Sequence, residues 1–350
     1  MANSTLVPCL RSHTVPLDSD DESELGVAKR AKVGLHGWDI IIKPPHATPI
    51  PLSDLSQSTY SKHKLIIAGG RRKMKKAESR CMFKLGASAY CWMFEDEQWR
   101  PCASMKHPRT NFSSVVLKGE LYVFGGWYDG TITSECEVYS PKSDSWRTFP
   151  ALNNERLSFV CGVVRGSVIV AGGWTPRDDI GILRSAEVYC PQTNRWNLIA
   201  PLIHAASGAT ACVLNGCLFV VGGNHLDSLQ MWDTTKWTLK ARMPSSRSAA
   251  ASVVYNGKII VLGGTLGKYV NDKFEYQPTD SVVVYDPQTN TWAVGAPLPE
   301  PRASCRAVEH AGSIILIGGG GPPLEFKNNK WNELPDVPGG TPHACSIGLI

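Results

Sequence analysis

Side chains able to ligate a metal, attack a substrate or hold an anion are scattered through this chain, with one exception. The nine histidines fall singly, with no pair at ligand spacing, and the chain has no His-Glu-x-x-His, phosphate-binding glycine loop or serine elbow. No cofactor and no metal are expected on that basis. The eleven cysteines are odd in number and include no Cys-x-x-Cys pair. They read as reduced, buried thiols of a cytoplasmic or nuclear protein, although Cys212 and Cys217 flank a turn and could approach each other. The exception is cationic: Arg71-Arg72-Lys73-Met74-Lys75-Lys76 places five charges in six residues. Such a run suits carboxylate or phosphate, which guanidinium groups grip bidentately, and it suits a solvated loop as well. Residues 1–61 hold five Lys/Arg and seven Asp/Glu, so residues 62–350 carry 31 basic against 24 acidic side chains, a balance of +7.

The elements that must position these residues repeat. A run of β-formers ending in Gly-Gly recurs six times, at Gly69, Gly125, Gly172, Gly222, Gly263 and Gly318, with intervals of 56, 47, 50, 41 and 55 residues. The mean is close to the roughly 50 residues of one four-stranded propeller blade. Ahead of each later pair, two β-rich runs flank Lys118-Gly119, Arg165-Gly166, Asn215-Gly216, Asn256-Gly257 or Ala311-Gly312. Asn-Gly between alternating apolar runs is a strong hairpin signal, so each unit opens with an antiparallel hairpin. A third run follows the glycines, as in Cys136-Glu137-Val138-Tyr139, and Trp146, Trp196 and Trp292 each stand seven residues beyond a tyrosine. Trp92 and Trp99 repeat that spacing in the first unit, while Trp232-Trp237 and Phe326-Trp331 shorten it.

Hydrophobic strand, double glycine, Tyr and then Trp resembles the kelch motif. The resemblance covers about residues 64–350 and implies an all-β, six-bladed kelch β-propeller, with residues 111–117, 120–124 and 134–140 as successive strands of one blade and Trp146 on the fourth. Glycine is needed where the second strand turns away in a crowded place; tryptophan fills the wedge between blades. Blade one begins at its second strand, Lys64–Ala68, and the chain ends in an unattached apolar run, residues 343–350. The C-terminal strand is therefore expected to complete blade one and close the ring, which removes two exposed sheet edges.

The resemblance also says where a partner would bind. Kelch rings that hold peptides use the face carrying the ends of the second strands and the starts of the innermost ones. The matching positions are Arg71, Trp127, Trp174, Asn224 and Thr265 after the glycines, then Arg109, Arg156, Arg247 with Ser248, and Arg302 ahead of the inner strands. Arg72 extends the basic loop on the same face. Blade four departs with His204-Ala205-Ala206-Ser207, and blade one with Pro342-His343. Four arginines are thus expected to rim one mouth, where they either receive an acidic or phosphorylated segment of a partner protein or only hydrogen-bond neighbouring backbone. Long loops at 174–184 and 265–279 add surface there. The reading is a non-enzymatic protein–protein interaction module, with a role as substrate-recognition component of a cullin-type ubiquitin ligase. The alternative is a kelch-type enzyme with a sugar or metal site at the axis, near His204 and His343. Actin is a further partner class within the family; nucleic acid is disfavoured because the basic run is short and no nucleic-acid module is recognisable.

Residues 1–61 differ in kind. They hold an acidic run at Asp18–Glu24, then Lys29-Arg30-Ala31-Lys32 and four prolines between Pro44 and Pro51, with no apolar period. They are expected to be a disordered tail, with residues 62–350 forming the ring. Lys29–Lys32 reads either as an import signal or as a solvated run, and Ser19 and Ser23 sit among acids as phosphorylation candidates. No run of 18 apolar residues argues for a membrane span, and the first 25 residues lack the apolar core of a secretion signal. Neither a BTB-BACK pair nor an F-box, which many kelch proteins carry ahead of the ring, is recognisable here.

Overall fold

The computed structural model describes residues 64–70, 87–96, 98–177, 181–224, 226–270, 273–338 and 345–350. Residues 1–63, and with them the tail, Lys29–Lys32, Ser19 and Ser23, lie outside the described residues. So do Arg71, Arg72 and His343.

Six four-stranded antiparallel sheets follow one another along the chain. Blade two shows the plan: Ser113–Leu117, Glu120–Phe124, Cys136–Ser140 and Ser145–Phe149 pair in sequence order. The innermost strands of the ring are Ser346–Leu349, Ser113–Leu117, Val160–Val164, Thr210–Leu214, Ala251–Tyr255 and Cys305–His310, each packed beside the next and the last beside the first. All five inner hairpins turn on the dipeptides read from the sequence, with positive φ at both residues, for example 51° and 71° at Asn215-Gly216. That is the backbone a two-residue hairpin turn requires if it is to follow the strands' own twist.

The ring closes as expected. Leu65–Ala68 pairs antiparallel with Ser346–Leu349, Leu65 opposite Leu349 and Ala68 opposite Ser346. Lys64 and Ile350 extend the ladder by exchanging both backbone hydrogen bonds at 2.9 Å.

Apolar side chains of neighbouring blades meet in six cores, one per interface; between blades three and four, for instance, Val160, Ile169 and Leu202 pack with Leu218, Val220 and Trp237. The closing tryptophans do more than fill these wedges. Trp146, Trp196, Trp237 and Trp292 each donate Nε1–H to a carbonyl at the end of the preceding blade, Ala103, Pro150, Ala200 and Ala241, at 2.7–2.9 Å. Trp99 reaches Pro335 at 3.2 Å across the closure. In blade one the ring that faces Trp99 is Phe94, at 4.9 Å, and Trp92 stands opposite Pro101. The equal spacing of Trp92 and Trp99 therefore misassigned the pair: a shorter outer turn moves the partner two positions along.

The glycine pairs answer to the neighbouring blade. At Gly125, φ is 54°, and a Cβ would lie 2.8 Å from the Arg156 carbonyl oxygen of the next blade. Gly126 donates its N–H to that same oxygen at 2.9 Å. No larger residue fits a strand end pressed so closely on foreign backbone.

Candidate functional site

Among the described residues, Trp127, Trp174, Ser248 and Thr265 of those read as a binding face are held by backbone at one end of the ring. Trp127 and Thr110 exchange hydrogen bonds at 2.8 and 3.1 Å, Trp174 and Leu157 at 2.8 and 3.0 Å, and Thr265 and Ser248 at 2.8 and 3.2 Å. In blades two, three and five the position after the glycine pair is thus fastened to the residue following that blade's arginine. The expected loops are partly built: Trp127–Tyr128 pairs with Thr131–Ile132, and Thr265–Val270 with Lys273–Pro278 as a two-stranded ribbon.

The four arginines are not on the rim. Arg109 and Arg156 are 0% exposed, Arg302 1% and Arg247 2%. Each threads its side chain behind the first glycine of its own blade. Arg109 Nη1 donates to the Gly125 and Glu135 carbonyls at 3.0 and 2.9 Å while Nη2 meets Glu137 Oε1 at 2.6 Å. Arg156 repeats this with Gly172, Ser185 and Glu187, the last also at 2.6 Å. Arg302 uses the Pro322 carbonyl and Glu300. Arg247 has the Gly263 and Ser281 carbonyls with the Ser245 and Ser281 hydroxyls. Burial lowers the pKa of Arg156, with Glu187 opposing the shift, and lowers that of Arg247. The reading that put these arginines in reach of a partner is corrected: carbonyls, hydroxyls and carboxylates take the terminal nitrogens of each fork, and burial keeps the unpaired Nε–H of all four from solvent and ligand alike.

Two of the acids involved, Glu137 and Glu187, were missed as functional positions. Each is buried, and its second oxygen accepts a backbone N–H from the segment entering the inner strand, Lys106 and Asn153 at 2.9 Å. The available signal was a glutamate inside an apolar run, Cys-Glu-Val-Tyr and Ala-Glu-Val-Tyr. Blade four omits both charges: Ala206 stands at the arginine position, and Gln230, in the glutamate's place, bonds the His204 N–H and carbonyl.

What the face does offer is aromatic. Trp174 is 36% exposed and Tyr276 46%; Trp127 and Tyr128 are half-buried and Asn224 is exposed. The Trp174 indole lies over Gly181, where a Cβ would overlap it, so the loop fixes its pose. Tyr128 packs at a tilt against His107, ring centroids 4.6 Å apart, and Arg177 is occupied by Glu155 at 2.8 Å. Ser248 is half-buried and tied to Thr265.

Along the axis the inner strands line an open cavity of about 140 Å³. His204 is not among its walls. Among the described residues no group of three or more His, Cys, Asp or Glu could hold a metal. Cys212 and Cys217 are free thiols; Cys212 faces Phe219 and Cys217 faces Leu214 across the hairpin, so the two are diagonal, not opposed.

A family model for the KLHDC2/KLHL20/DRC7 Kelch-repeats domain matches residues 160–343, and one for the Kelch motif matches residues 108–153. Kelch-like protein 35 of Mus musculus is 28% identical over 226 residues, 64% of this chain and 37% of that protein. Kelch-like protein 30 of Homo sapiens is 47% identical over 138 residues, 39% of this chain and 23% of that protein. The chain therefore spans well under half the length of these curated relatives. A solved structure titled "Structure of YjhT" superposes with a TM-score of 0.60 at 17% identity, covering 71% of this chain and 92% of that one. That likeness concerns the fold alone.

Proposed function

Since this chain belongs to the kelch-repeat family, we propose that it is a non-enzymatic protein-interaction module that receives a segment of a partner protein on the face carrying Trp127, Trp174, Asn224, Ser248 and Tyr276. The observation that carries this reading is the pair of well-exposed aromatics, Trp174 and Tyr276, on backbone fixed by bridges to the ring. Rigid aromatic anchors supply most of the energy at protein interfaces. An acidic or phosphorylated segment is the preferred class, supported by the balance of +7 over residues 62–350 and no longer by the four arginines. Long-range charge of this kind speeds and selects encounters. A further part of the proposal is service as the recognition component of a cullin-type ubiquitin ligase. The axial cavity favours this over a sugar-turning enzyme, because about 140 Å³ falls below the ~300 Å³ at which small-molecule sites usually begin.

Affinity purification with the full chain and with W174A/Y276A tests the reading. The double variant should retain the wild-type melting temperature and lose partner capture by about tenfold or more; equal capture removes this face from consideration. Cullin components in the wild-type eluate support the ligase role.

A further inference from the structure

The axial cavity holds one feature that partner binding on the loop face does not use. Its walls come from the inner strands of all six blades and carry the hydroxyls of Ser113, Ser114, Thr210 and Ser252, the Cys161 and Cys345 thiols and, among the described residues, a single charged side chain, Arg306. Thr210 and Ser252 bridge neighbouring blades at 2.7 Å, and Ser113 donates to the Phe159 carbonyl. Register explains why Arg306 reaches the axis. Ser113, Val160, Thr210, Ala251 and Arg306 each stand opposite the residue just before the first glycine of their blade. Four blades place a small or medium side chain there and blade six places the longest of the set. Its field is felt by thiols of three blades: Cys161, pushed up to about 12 by burial, and Cys305 and Cys345, pushed up to about 11, are each pulled back by Arg306.

Arg306 is half-buried, so its guanidinium is partly withdrawn from water and attracts an anion beside it more strongly than it would in open solvent. Of the buried arginines, Arg109, Arg156 and Arg302 have carboxylates at 2.6–2.8 Å and Arg247 has two carbonyls and two hydroxyls. Arg306 differs: among the described residues its hydrogen-bond partner is the Cys305 carbonyl at 3.1 Å, and the cavity wall includes no Asp or Glu. A guanidinium has five N–H donors, so one carbonyl leaves most of the fork to other acceptors. About 140 Å³ holds about four to five waters at ~30 Å³ each, room for one small, partly hydrated anion. We propose that the axis of this ring is an oxyanion site, in which Arg306 grips a phosphate- or carboxylate-type group and the surrounding hydroxyls complete its shell. The inference stands apart from the partner-binding face.

Calorimetric titration of inorganic phosphate into the full chain, at ionic strength held constant with chloride, is the test. The wild type should show one saturable site, R306Q should weaken it about tenfold or more, and W174A/Y276A should leave it unchanged. Absence of saturable binding to the wild type overturns the proposal, as does equal binding by R306Q. If R306Q does not fold, R306K decides. It keeps the charge and loses the planar fork, so it should bind more weakly than the wild type, and equal affinity overturns the proposal. A capped acidic peptide that displaces phosphate identifies the natural group as a partner's carboxylate; a peptide that binds the face without displacing it identifies a free anion. Both results support the site.

Discussion

A guanidinium out of water needs partners for its terminal nitrogens, which Arg109, Arg156, Arg247 and Arg302 have although each leaves its Nε–H unpaired, and blade four shows the demand lifted from both sides together. There, Ala206 and Gln230 replace the Arg–Glu pair, and the Ser228 hydroxyl, at the place where Ser185 meets Arg156, is left buried without a partner. Removing one charge from a paired blade should be far worse than removing both. Arg156→Ala strands Glu187, which is 0% exposed, and should cost about 3 to 5 kcal/mol. R156A/E187Q, which imitates blade four, should recover at least about 1 kcal/mol of that in urea unfolding; a double variant as unstable as R156A contradicts this account. A second residue-scale outcome concerns thiols. Cys102 faces Cys91 across the strand pair and is lowered to about 7, first by its hydrogen bond with Cys91 and then by that with Tyr139, while burial raises Cys136 and Cys212 to about 12. The thiolate is the nucleophile, so reactivity grows as pH rises through the pKa. Iodoacetamide at pH 8 should label Cys102 ahead of Cys136 and Cys212, with its rate rising through about pH 7; peptide mapping showing uniform labelling would refute the pairing.

At the scale of elements, the inner hairpins carry unequal strain for the same geometry. All five need positive φ at the first turn residue, but blades two, three and six place Lys118, Arg165 and Ala311 there, at φ 54°, 50° and 50°, where blades four and five place asparagine. Asparagine tolerates this region because its short polar side chain can bond locally. Ala311→Asn should therefore raise stability by about 0.5 to 1 kcal/mol, read as an increased urea midpoint at unchanged slope; a lowered midpoint would show that the turn is not limiting. The same elements show why so much of the fold could be read from the sequence. Glycine pairs, two-residue turns and spaced aromatics answer to local backbone demands, so they print themselves at fixed positions in every repeat. Phe94 escaped notice because its partnership with Trp99 depends on the length of one outer turn. The arginines were located correctly and misjudged in exposure. Arg247 is buried on carbonyls and hydroxyls alone, whereas the burial of Arg109 and Arg156 goes with a carboxylate some 30 positions away, Glu137 and Glu187. Spacing alone cannot weigh that partner, though a lone glutamate amid valine, tyrosine and cysteine does announce a buried charge.

On the scale of the whole molecule, stability should depend on the circle more than on any blade. Around the axis, Ser158 donates its N–H to the Asn111 carbonyl, Gly208 to Ser158, Ala249 to Gly208 and Ser304 to Ala249, at 2.7–2.8 Å. Each donor joins the entrance of one inner strand to the next. The outer tryptophans repeat the same head-to-tail logic at the perimeter. Such a chain of nearest-neighbour contacts has no weak terminus only while Ser346–Leu349 holds Leu65–Ala68. Removing residues 345–350 would strip four paired residues from blade one, expose the edge of Leu65–Ala68 to intermolecular pairing, and unpack Cys345 from Ile315 and Ile317 in the core between blades six and one. A loss of about 3 kcal/mol or more is expected from these contacts, or roughly 6 °C or more in melting temperature for a ring of this size, together with aggregation on heating. A synthetic peptide of residues 345–350 added in excess should restore part of the loss, because binding only the folded form stabilises it by mass action. A shortened chain that melts with the full-length protein would mean that the ring stands without its clasp, and the ordering of six blades about one axis would need another source of cohesion.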